Sequence, residues 1–416
     1  MLDLASPRIA DWVGQFDPPD QVTAAQLLGE IMTVSADELT RGLREKVLAI
    51  AEQHDGPLGL ITERHIRKQP KSGVDRMFKE RRSRPRRAYG YGPRPVAQGK
   101  RSAPETGSEG IIATLITGLA RADPKRFVDH PGPDKIRENK IRAFVIVTDF
   151  IGSGKRVEDN LEAAWKVRSF KSWCSSGHLS FAVASYSGTQ LGVARLERHR
   201  SKPTIALVRG CPTVNDLDYE SRDRIIDFCE RHAAKRLKND RTALGYGDAG
   251  ALIVFDHGIP NNAPLVLHTK WSRFTPLFPR RSTAMVGDAR GETAREVEIE
   301  RSLRRLREKR LAKAPRFTGI PENEQDRMLV LTALKRRPRT ALAVSARTGL
   351  PVVEVDALVA RALTDGYLDE RCRLTQSAYD ALAFLRTSDA PPRSLPKTNE
   401  DYYCPTSLRP PNETFG

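Results

Sequence analysis

The sequence predicts an α/β protein whose central sheet is mostly parallel and doubly wound. Short apolar runs alternate with longer amphipathic stretches between residues 107 and 287. The runs are apolar on both faces, which is typical of parallel strands covered by helices on either side. We predict strands at Phe144–Thr148, Leu179–Tyr186, Ile205–Val208 and Leu252–Phe255, and helices at Gly110–Ala122, Val157–Phe170 and Tyr219–Leu237. In such folds ligands bind beyond the carboxyl ends of the strands.

The whole chain is too long for one small core, and composition changes along it indicate several parts. We divide it into a helical N-terminal extension (1–60), a basic arm or loop (61–106), the α/β domain (107–287), a charged linker helix (288–321), a winged helix-turn-helix (322–386) and a disordered tail (387–416). In the extension, Trp12 and Phe16 are spaced for one helix face, and Ser35 is a good N-cap for the helix that follows it.

Residues 64–101 carry 14 Lys and Arg against two acids, a local net charge of +12. Such a run is commonly a solvated loop. The alternative is an arm that follows a nucleic-acid backbone, with tyrosines that stack on bases. The candidate phosphate contacts in it are Arg82, Arg84, Arg86 and Arg87.

The apolar run that begins at Phe144 ends in Thr148 and Asp149 and opens directly into the turn Ile151-Gly-Ser-Gly-Lys155. Gly152 and Gly154 allow the backbone close to a ligand, and amides at the start of the next helix bind phosphate well. We therefore expect Gly152, Ser153, Gly154 and Lys155 to bind phosphate, and Asp149 to hold ribose hydroxyls or Mg²⁺.

The spacing is neither a P-loop nor a three-glycine dinucleotide motif, and an ordinary strand-to-helix turn with a capping serine remains the alternative.

Residues 322–386 have the order of a winged helix-turn-helix. We predict helices at Asp326–Arg336, Ala341–Thr348 and Val352–Thr364, and a small hairpin from Gly366 through Leu374 as the wing. Before them, Ile299, Leu303 and Leu306 form a narrow apolar stripe on the linker helix. DNA contacts would come from Arg361, Arg371 and Arg373. Glu354 and Asp356 disfavour DNA contact at the start of the third helix, and a protein-binding winged helix is the alternative.

The net charge of +17 favours polyanionic partners such as nucleic acid or phosphorylated metabolites. The five cysteines form no metal-ligand spacing, so we expect no metal cage built by the protein alone and a reducing cytoplasmic location. No apolar segment is long enough for a membrane span, and the N-terminal residues do not read as a leader.

Three blocks resemble the phosphoribosyltransferase-like domain of bacterial conflict (anti-phage) systems, over roughly residues 10–282. They are Gly107–Thr117, Val145–Gly154, and Gly245–Asp248 with Pro260–Asn262 and Trp271…Phe278. Some members of that family are effectors encoded beside retron reverse transcriptases, and some carry a winged helix. The resemblance implies a type I phosphoribosyltransferase-like sheet.

The resemblance also implies ribosyl chemistry supported by Mg²⁺, with Asp149 and Glu109 as catalytic residues and Ser108 at the ribose or phosphate. The family pattern usually has two acids before the glycine turn, but Thr148 stands at the first position here. The Thr148 hydroxyl can still form a hydrogen bond to the ribose but brings no charge, which places efficient transfer in doubt and leaves nucleotide binding plausible. For Ser108 and Glu109 the alternative is a plain helix N-terminus.

Further ribose or base contacts are expected from Asp248, Asn261 and Asn262, although Pro260-Asn-Asn262 also reads as a simple turn.

Two functions follow. In the first, the chain is an effector of a retron-type defence system that binds or modifies a nucleotide or phosphoribosyl ligand. It would associate with DNA or an RNA–DNA hybrid, with a reverse transcriptase as a possible partner. In the second, it is a non-catalytic transcription regulator that senses phosphoribosyl pyrophosphate.

Overall fold

A computed structural model describes residues 2–69, 73–82, 86–94, 108–233, 241–270, 274–283 and 295–386. The helices, in chain order, are α1 (Pro7–Val13), α2 (Pro18–Gly29), α3 (Ala36–Glu52), α4 (Ser108–Ala122), α5 (Pro133–Glu138), α6 (Lys155–Trp165), α7 (Arg168–Ser175), α8 (Gln190–Glu197), α9 (Tyr219–Arg231), α10 (Leu265–His268), α11 (Arg295–Arg305), α12 (Lys309–Ala312), α13 (Pro315–Thr318), α14 (Glu322–Leu334), α15 (Ala341–Thr348), α16 (Val352–Thr364) and α17 (Gln376–Arg386). The strands are β1 (Met32–Val34), β2 (Leu58–Thr62), β3 (Lys68–Gln69), β4 (Gly73–Val74), β5 (Lys79–Glu80), β6 (Ala88–Tyr89), β7 (Phe127–Asp129), β8 (Ala143–Ile151), β9 (Ser180–Gly188), β10 (Thr204–Gly210), β11 (Arg241–Thr242), β12 (Gly245–Tyr246) and β13 (Ile253–Phe255).

The central sheet confirms the predicted fold class. Its five strands lie in the order β7-β2-β8-β9-β10, and every neighbouring pair is parallel. Counted along the chain, this is the order 2-1-3-4-5 of a doubly wound sheet. Such a sheet has its switch point between the first and third strands, and ligands bind at the carboxyl ends there. In this chain that position lies between β2 and β8.

Alternate residues of β8 face two separate cores, as the two-sided apolar pattern predicts. Val145 and Val147 are buried with residues of α3 and α4 on one face. Phe144 and Ile146 are buried with residues of α5 to α8 on the other. Helices thus cover both faces of the sheet, and the carboxyl end of β8 is held rigidly from both sides.

Two strands differ from the sequence prediction. β2, at residues 58–62, is absent from the predicted strands, although it pairs with both β7 and β8. The predicted strand at Leu252–Phe255 forms, as β13, but it pairs with β1 in a separate two-stranded sheet. Both differences concern long-range pairing, which local pattern does not specify.

The N-terminal helices α1 and α2 pack against α9 and against residues 243–267 and 274–278. Trp12 and Phe16 lie edge-to-face at 5.0 Å, and Phe16 meets Phe228 at the same distance. This second lobe carries β1 and β13 and lies beside the carboxyl edge of the central sheet.

Part of the basic segment is packed on the α/β domain. The side chain of Phe78 is buried and stacks on Phe170 at 5.2 Å. Short antiparallel pairs, β3–β4 and β5–β6, flank it. Arg82, Arg86 and Arg87 are exposed, and Arg84 lies outside the described residues.

The linker is three short helices, α11 to α13, instead of one long helix. Arg307 adopts a left-handed backbone conformation, with φ of 63°, directly after α11. The predicted apolar stripe does pack against the winged helix: Leu303 and Leu306 are buried in one core with α14 and α17.

The winged helix-turn-helix is confirmed, and α15 and α16 have the predicted bounds. Leu368 and Leu374 form the bridge of the wing. Along α16 the side chains of Val355 and Ala362 are buried, whereas that of Leu363 is 38% exposed.

The winged helix docks on the exposed edge of the central sheet. The Gly210 amide of β10 donates to the Ser345 hydroxyl at 2.8 Å, and Arg209 donates to the Gly349 carbonyl at 2.6 Å. A buried ion pair also joins the linker to the second lobe, with Arg305 Nε 2.7 Å from a Glu30 carboxylate oxygen.

A methyl group at Gly210 tests this docking. An added Cβ would lie 2.4 Å from the Leu342 carbonyl oxygen and 2.7 Å from the Ala346 amide nitrogen. We expect Gly210→Ala to loosen the winged helix and to speed proteolytic cleavage in the linker. Gly118→Ala on α4 is the matched control, because a Cβ there meets nothing within 4 Å. Cleavage of Gly210→Ala at the rate of Gly118→Ala would contradict the docking.

Candidate functional site

A cavity of about 750 Å³ opens at the carboxyl ends of β2 and β8, where the doubly wound topology predicts a ligand site. The side chains that line it come from both lobes and from the basic segment. Its charged lining residues are Glu63, Lys68, Glu109, Asp149, Lys155, Arg156, Asp159, Arg280 and Arg281, joined by His65 and His257.

The glycine turn is tightly built against α8. Gly154 has φ of 71° and is the N-cap of α6. An added Cβ at Gly154 would lie 2.5 Å from the Gly192 carbonyl oxygen, and one at Gly192 would lie 2.2 Å from the Gly152 carbonyl oxygen. Thr189 Oγ1 donates to that same Gly152 carbonyl at 2.6 Å. The glycines are therefore required sterically, and the turn presents the amino end of α6 to the cavity. Free amides and the helix dipole at such an end attract an anion.

Two carboxylates meet at the switch point. Thr148 Oγ1 donates to Glu63 and lies 3.3 Å from Asp149 Oδ1. Glu63 directly follows β2, and its amide donates to the Val147 carbonyl at 3.0 Å. Because β2 and β8 are parallel neighbours, the end of β2 brings the Glu63 carboxylate to Thr148, the position at which β8 itself lacks an acid. The second carboxylate of the site thus comes from a different strand.

Sequence reasoning missed Glu63 because that residue lies 86 positions before Asp149 and directly before a basic run. The local signal was an apolar run, Leu58–Thr62, that ends at an acid, the same pattern that marked Asp149.

The pKa values of the two carboxyl groups are shifted in opposite directions. Burial raises the pKa of Glu63 to about 7, with the Asp149 and Glu109 carboxylates adding to the rise and Arg156 and Thr148 opposing it. Burial also acts on Asp149, but hydrogen bonds from His257 and Ser108 outweigh it and lower the pKa of Asp149. Near neutral pH the site therefore pairs an ionised carboxylate with one that readily holds a proton.

His257 is a second residue that sequence reasoning left unassigned. Its Nε2 lies 2.8 Å from Asp149 Oδ2, and its ring stacks on Phe255 at 5.1 Å. Its Nδ1 is buried with no hydrogen-bond partner among the described residues. A buried polar atom beside the cavity is a natural contact for a ligand.

The cations of the cavity fall into two groups. Lys155 Nζ lies 2.9 Å from Glu158 and 3.0 Å from Asp159, and Lys68 also binds Asp159, at 2.7 Å. These two lysines are therefore partly neutralised. Arg280 and Arg281 form no ion pair with any described residue and have left-handed backbones, with φ of 54° and 66°. They supply uncompensated positive charge opposite the glycine turn.

Of the other predicted contacts, some line the cavity and one lies outside it. Ser108 begins α4 and hydrogen-bonds Asp149, and Glu109 and Asn261 line the cavity. Asn262 also borders the cavity but is 6% exposed, and its amide donates to the Tyr246 carbonyl at 2.7 Å. Asp248 does not line the cavity; it accepts from Thr242 within a turn.

The predicted nucleic-acid contacts of the winged helix are accessible but partly paired. Arg361 is within 4.0 Å of both Glu324 and Asp365, and Arg373 is 3.0 Å from Asp369. Arg371 is exposed.

The first turn of α16 faces the α/β domain. Val352 packs against the core of that domain. Burial raises the pKa of Glu354, near Arg209, and of Asp356, near Lys46. The acids that disfavour DNA thus lie at an interdomain contact.

Comparison with known families agrees with this architecture. Residues 9–280 match the PRTase-CE family model, and residues 328–410 match a model described as wHTH-PRTase associated. The chain belongs to the PRTase-CE family: it is a phosphoribosyltransferase-like protein with a C-terminal winged helix of the DNA-binding type. No curated protein and no solved structure matches it.

None of the helices in the described ranges combines the length and apolar character that crossing a membrane requires.

The raised pKa of Glu63 predicts a pH-dependent stability. The pKa of Glu63 is about 7 in the folded protein, compared with its ordinary value of 4.5. The stabilising contribution of the protonated carboxyl group is therefore complete below pH 4.5 and is lost as the pH rises through about 7. Replacing Glu63 with Gln removes this loss. We expect Glu63→Gln to gain up to about 3 kcal/mol over the natural protein between roughly pH 5 and 8, measured by chemical denaturation.

Glu220→Gln, an exposed carboxylate on α9, controls for the change in charge. A Glu63→Gln protein whose unfolding free energy follows that of the natural protein at every pH would contradict the burial of this carboxylate.

Proposed function

We propose that the cavity binds a phosphoribosyl ligand, a 5′-phosphorylated ribose or nucleotide, and that the chain is an effector that acts on this ligand. The observation that supports the proposal most strongly is the junction of Glu63, Thr148 and Asp149 beside the glycine turn. It combines hydroxyl-binding carboxylates with an anion-binding helix end inside one cavity.

The phosphate would lie at the glycine turn. The amides at the start of α6 and the Ser153 hydroxyl are the donors, and Lys155 contributes mainly its amide because its ammonium group is bound to Glu158 and Asp159. A pyrophosphate group carries further negative charge. Arg280 and Arg281, which form no ion pair with any described residue, would bind it.

The ribose hydroxyls would bind Asp149 and Glu63. Mg²⁺ fits the same place, because carboxylate oxygens of Asp149, Glu63 and Glu109 border the cavity and hard oxygen donors suit this ion. No group of three metal-binding side chains occurs among the described residues, so the ligand's own oxygens would complete the coordination. When bound, the ion would neutralise the charge of a pyrophosphate leaving group.

Ribosyl chemistry through an oxocarbenium-like state depends on positioning and charge stabilisation more than on covalent help. Asp149, held ionised by His257, would stabilise positive charge on the ribose. Glu63 would hold or release a proton near neutral pH. It would thus supply the second acid, which this chain lacks at position 148. His257 Nδ1 would contact the nucleobase or leaving group.

The defence setting extends this proposal. Some members of this family are encoded beside retron reverse transcriptases, so a reverse transcriptase would be the partner of this chain in the cytoplasm. The basic charge of the chain suits DNA or an RNA–DNA hybrid as the associated nucleic acid. The alternative of a transcription regulator is weakened by one observation: the first turn of α16, which reads bases in a helix-turn-helix, lies against the α/β domain.

Binding of ribose 5-phosphate with Mg²⁺, followed by calorimetry, tests the site. We expect Asp149→Asn to weaken binding by at least about tenfold, because a hydrogen bond to a charged group is lost. Asp248→Asn is the matched control, since Asp248 does not line the cavity. Equal binding by the two variants would remove Asp149 from the site.

Activity is tested with phosphoribosyl pyrophosphate and mixed nucleotides in the presence of Mg²⁺. We expect ribosyl transfer or N-glycosidic cleavage that Asp149→Ala abolishes, together with loss of toxicity in cells. Absence of turnover, with undiminished toxicity of Asp149→Ala, would overturn the effector proposal.

The winged helix is tested with duplex DNA across a salt series. Removing two phosphate contacts, in Arg371→Ala/Arg373→Ala, should reduce the slope of log affinity against log salt by about 2. An unchanged slope would assign duplex contact to another surface.

A further inference from the structure

A second cavity lies where the α/β domain, the linker and the winged helix meet. It has a volume of about 510 Å³. Its lining residues are Asp218, Arg304, Arg307, Glu308, Lys309, Arg310 and Arg386. They come from the N-cap of α9, from the stretch that runs from the end of α11 into the start of α12, and from the last residue of α17, so the cavity exists only while the three parts are docked.

The acids of this cavity are already neutralised. Glu308 is bound by Lys335 at 3.0 Å and by Arg386 at 2.5 Å. Asp218 is the N-cap of α9 and accepts from the Ser221 amide at 3.2 Å. Its pKa is lowered: burial opposes the change, while that hydrogen bond and the neighbouring Lys309 and Arg307 produce it.

Three cations of the cavity form no direct ion pair, although Arg307 and Lys309 lie near enough to Asp218 to lower its pKa. Exposed Arg307, Lys309 and Arg310 form no ion pair with any residue in the described ranges. Arg307 also has the left-handed backbone noted above, which projects its side chain from a break between two helices. Behind the cavity, burial and the nearby Arg307 lower the pKa of Arg336. Like charges brought this close are unfavourable unless an anion joins them.

An exposed aromatic residue directly follows Asp218, which lines this cavity. Tyr219, the first residue of α9, is 61% exposed, and the Arg222 guanidinium lies 5.0 Å from the centre of its ring. An aromatic ring with an arginine beside it is a platform on which a nucleobase stacks.

We propose that this junction cavity binds a single-stranded nucleic acid, with Arg307, Lys309 and Arg310 on the phosphodiester backbone and Tyr219 stacked on one base. A single strand is favoured over a duplex because its base faces are free to stack. An acidic peptide would use the cations but leave the ring unexplained. The inference rests on the proposed association with nucleic acid and is independent of the phosphoribosyl site.

Fluorescence anisotropy with a labelled oligothymidine, at several salt concentrations, tests the proposal on the full chain. Arg307→Ala/Arg310→Ala should weaken binding by about tenfold or more and reduce the salt slope by about 1.4, since each phosphate contact of a single strand contributes about 0.7. Both side chains are exposed, so the fold should survive.

Tyr219→Ala should weaken binding by about tenfold with an unchanged salt slope, and Tyr219→Phe should restore it, because a ring stacks without its hydroxyl. Arg44→Ala/Arg121→Ala, which removes two exposed arginines of α3 and α4, is the matched control and should bind the oligonucleotide as the natural protein does.

Three results would overturn the inference: no binding of the oligonucleotide by the natural protein, unchanged binding by both cavity variants, or equal displacement by poly-glutamate. If only Arg371→Ala/Arg373→Ala lost binding, the winged helix would be the surface that binds the oligonucleotide, and only the junction site would be rejected. Calorimetry with ribose 5-phosphate on the same variants should be unaffected, which separates this failure from that of the phosphoribosyl site.

Discussion

The site depends on the parallel pairing of β2 with β8. Thr62 lies opposite Val147, and the next residue of each strand, Glu63 and Thr148, is joined by a hydrogen bond. Shifting this register by one residue would send Glu63 to the opposite face of the sheet. Burial raises the pKa of Glu63 to about 7, and repulsion from the neighbouring Asp149 carboxylate adds to the rise. His257 and Arg156 offset that repulsion, one on each acid, at 2.8 and 3.3 Å.

Local pattern was sufficient wherever a segment specifies its own structure. The apolar strand before Asp149, its glycine turn, and the helices Ala341–Thr348 and Val352–Thr364 were all predicted from short stretches, because periodicity, caps and helix breakers are local signals. The family expectation was confirmed over nearly the predicted range.

Local pattern failed wherever distant segments combine. Sheet pairing brings Glu63 to Thr148, and the packing of the second lobe brings His257 to Asp149; local sequence specifies neither contact. Lys155 reads as a phosphate ligand beside its glycine turn, yet helical spacing also places Glu158 and Asp159 on its ammonium group. Asp248 stands near the predicted site in sequence, but a turn directs its side chain to Thr242.

The docked winged helix covers the β10 edge of the central sheet and is also connected to the second lobe through the linker. β10 would otherwise present unpaired backbone groups, and α15 covers them. Arg305 reaches both Glu30 and the Ala346 carbonyl, so the linker, the second lobe and the winged helix share one buried side chain.

The most direct test of the account is a double-mutant cycle between Glu63 and Asp149, with affinity for ribose 5-phosphate and Mg²⁺ as the readout. If the two carboxylates hold one ligand as a unit, Glu63→Gln and Asp149→Asn will each weaken binding, and their effects will be non-additive by about 0.5 kcal/mol or more. Strictly additive effects, or a Glu63→Gln protein that binds like the natural one, would contradict the claim that a neighbouring strand supplies the second acid.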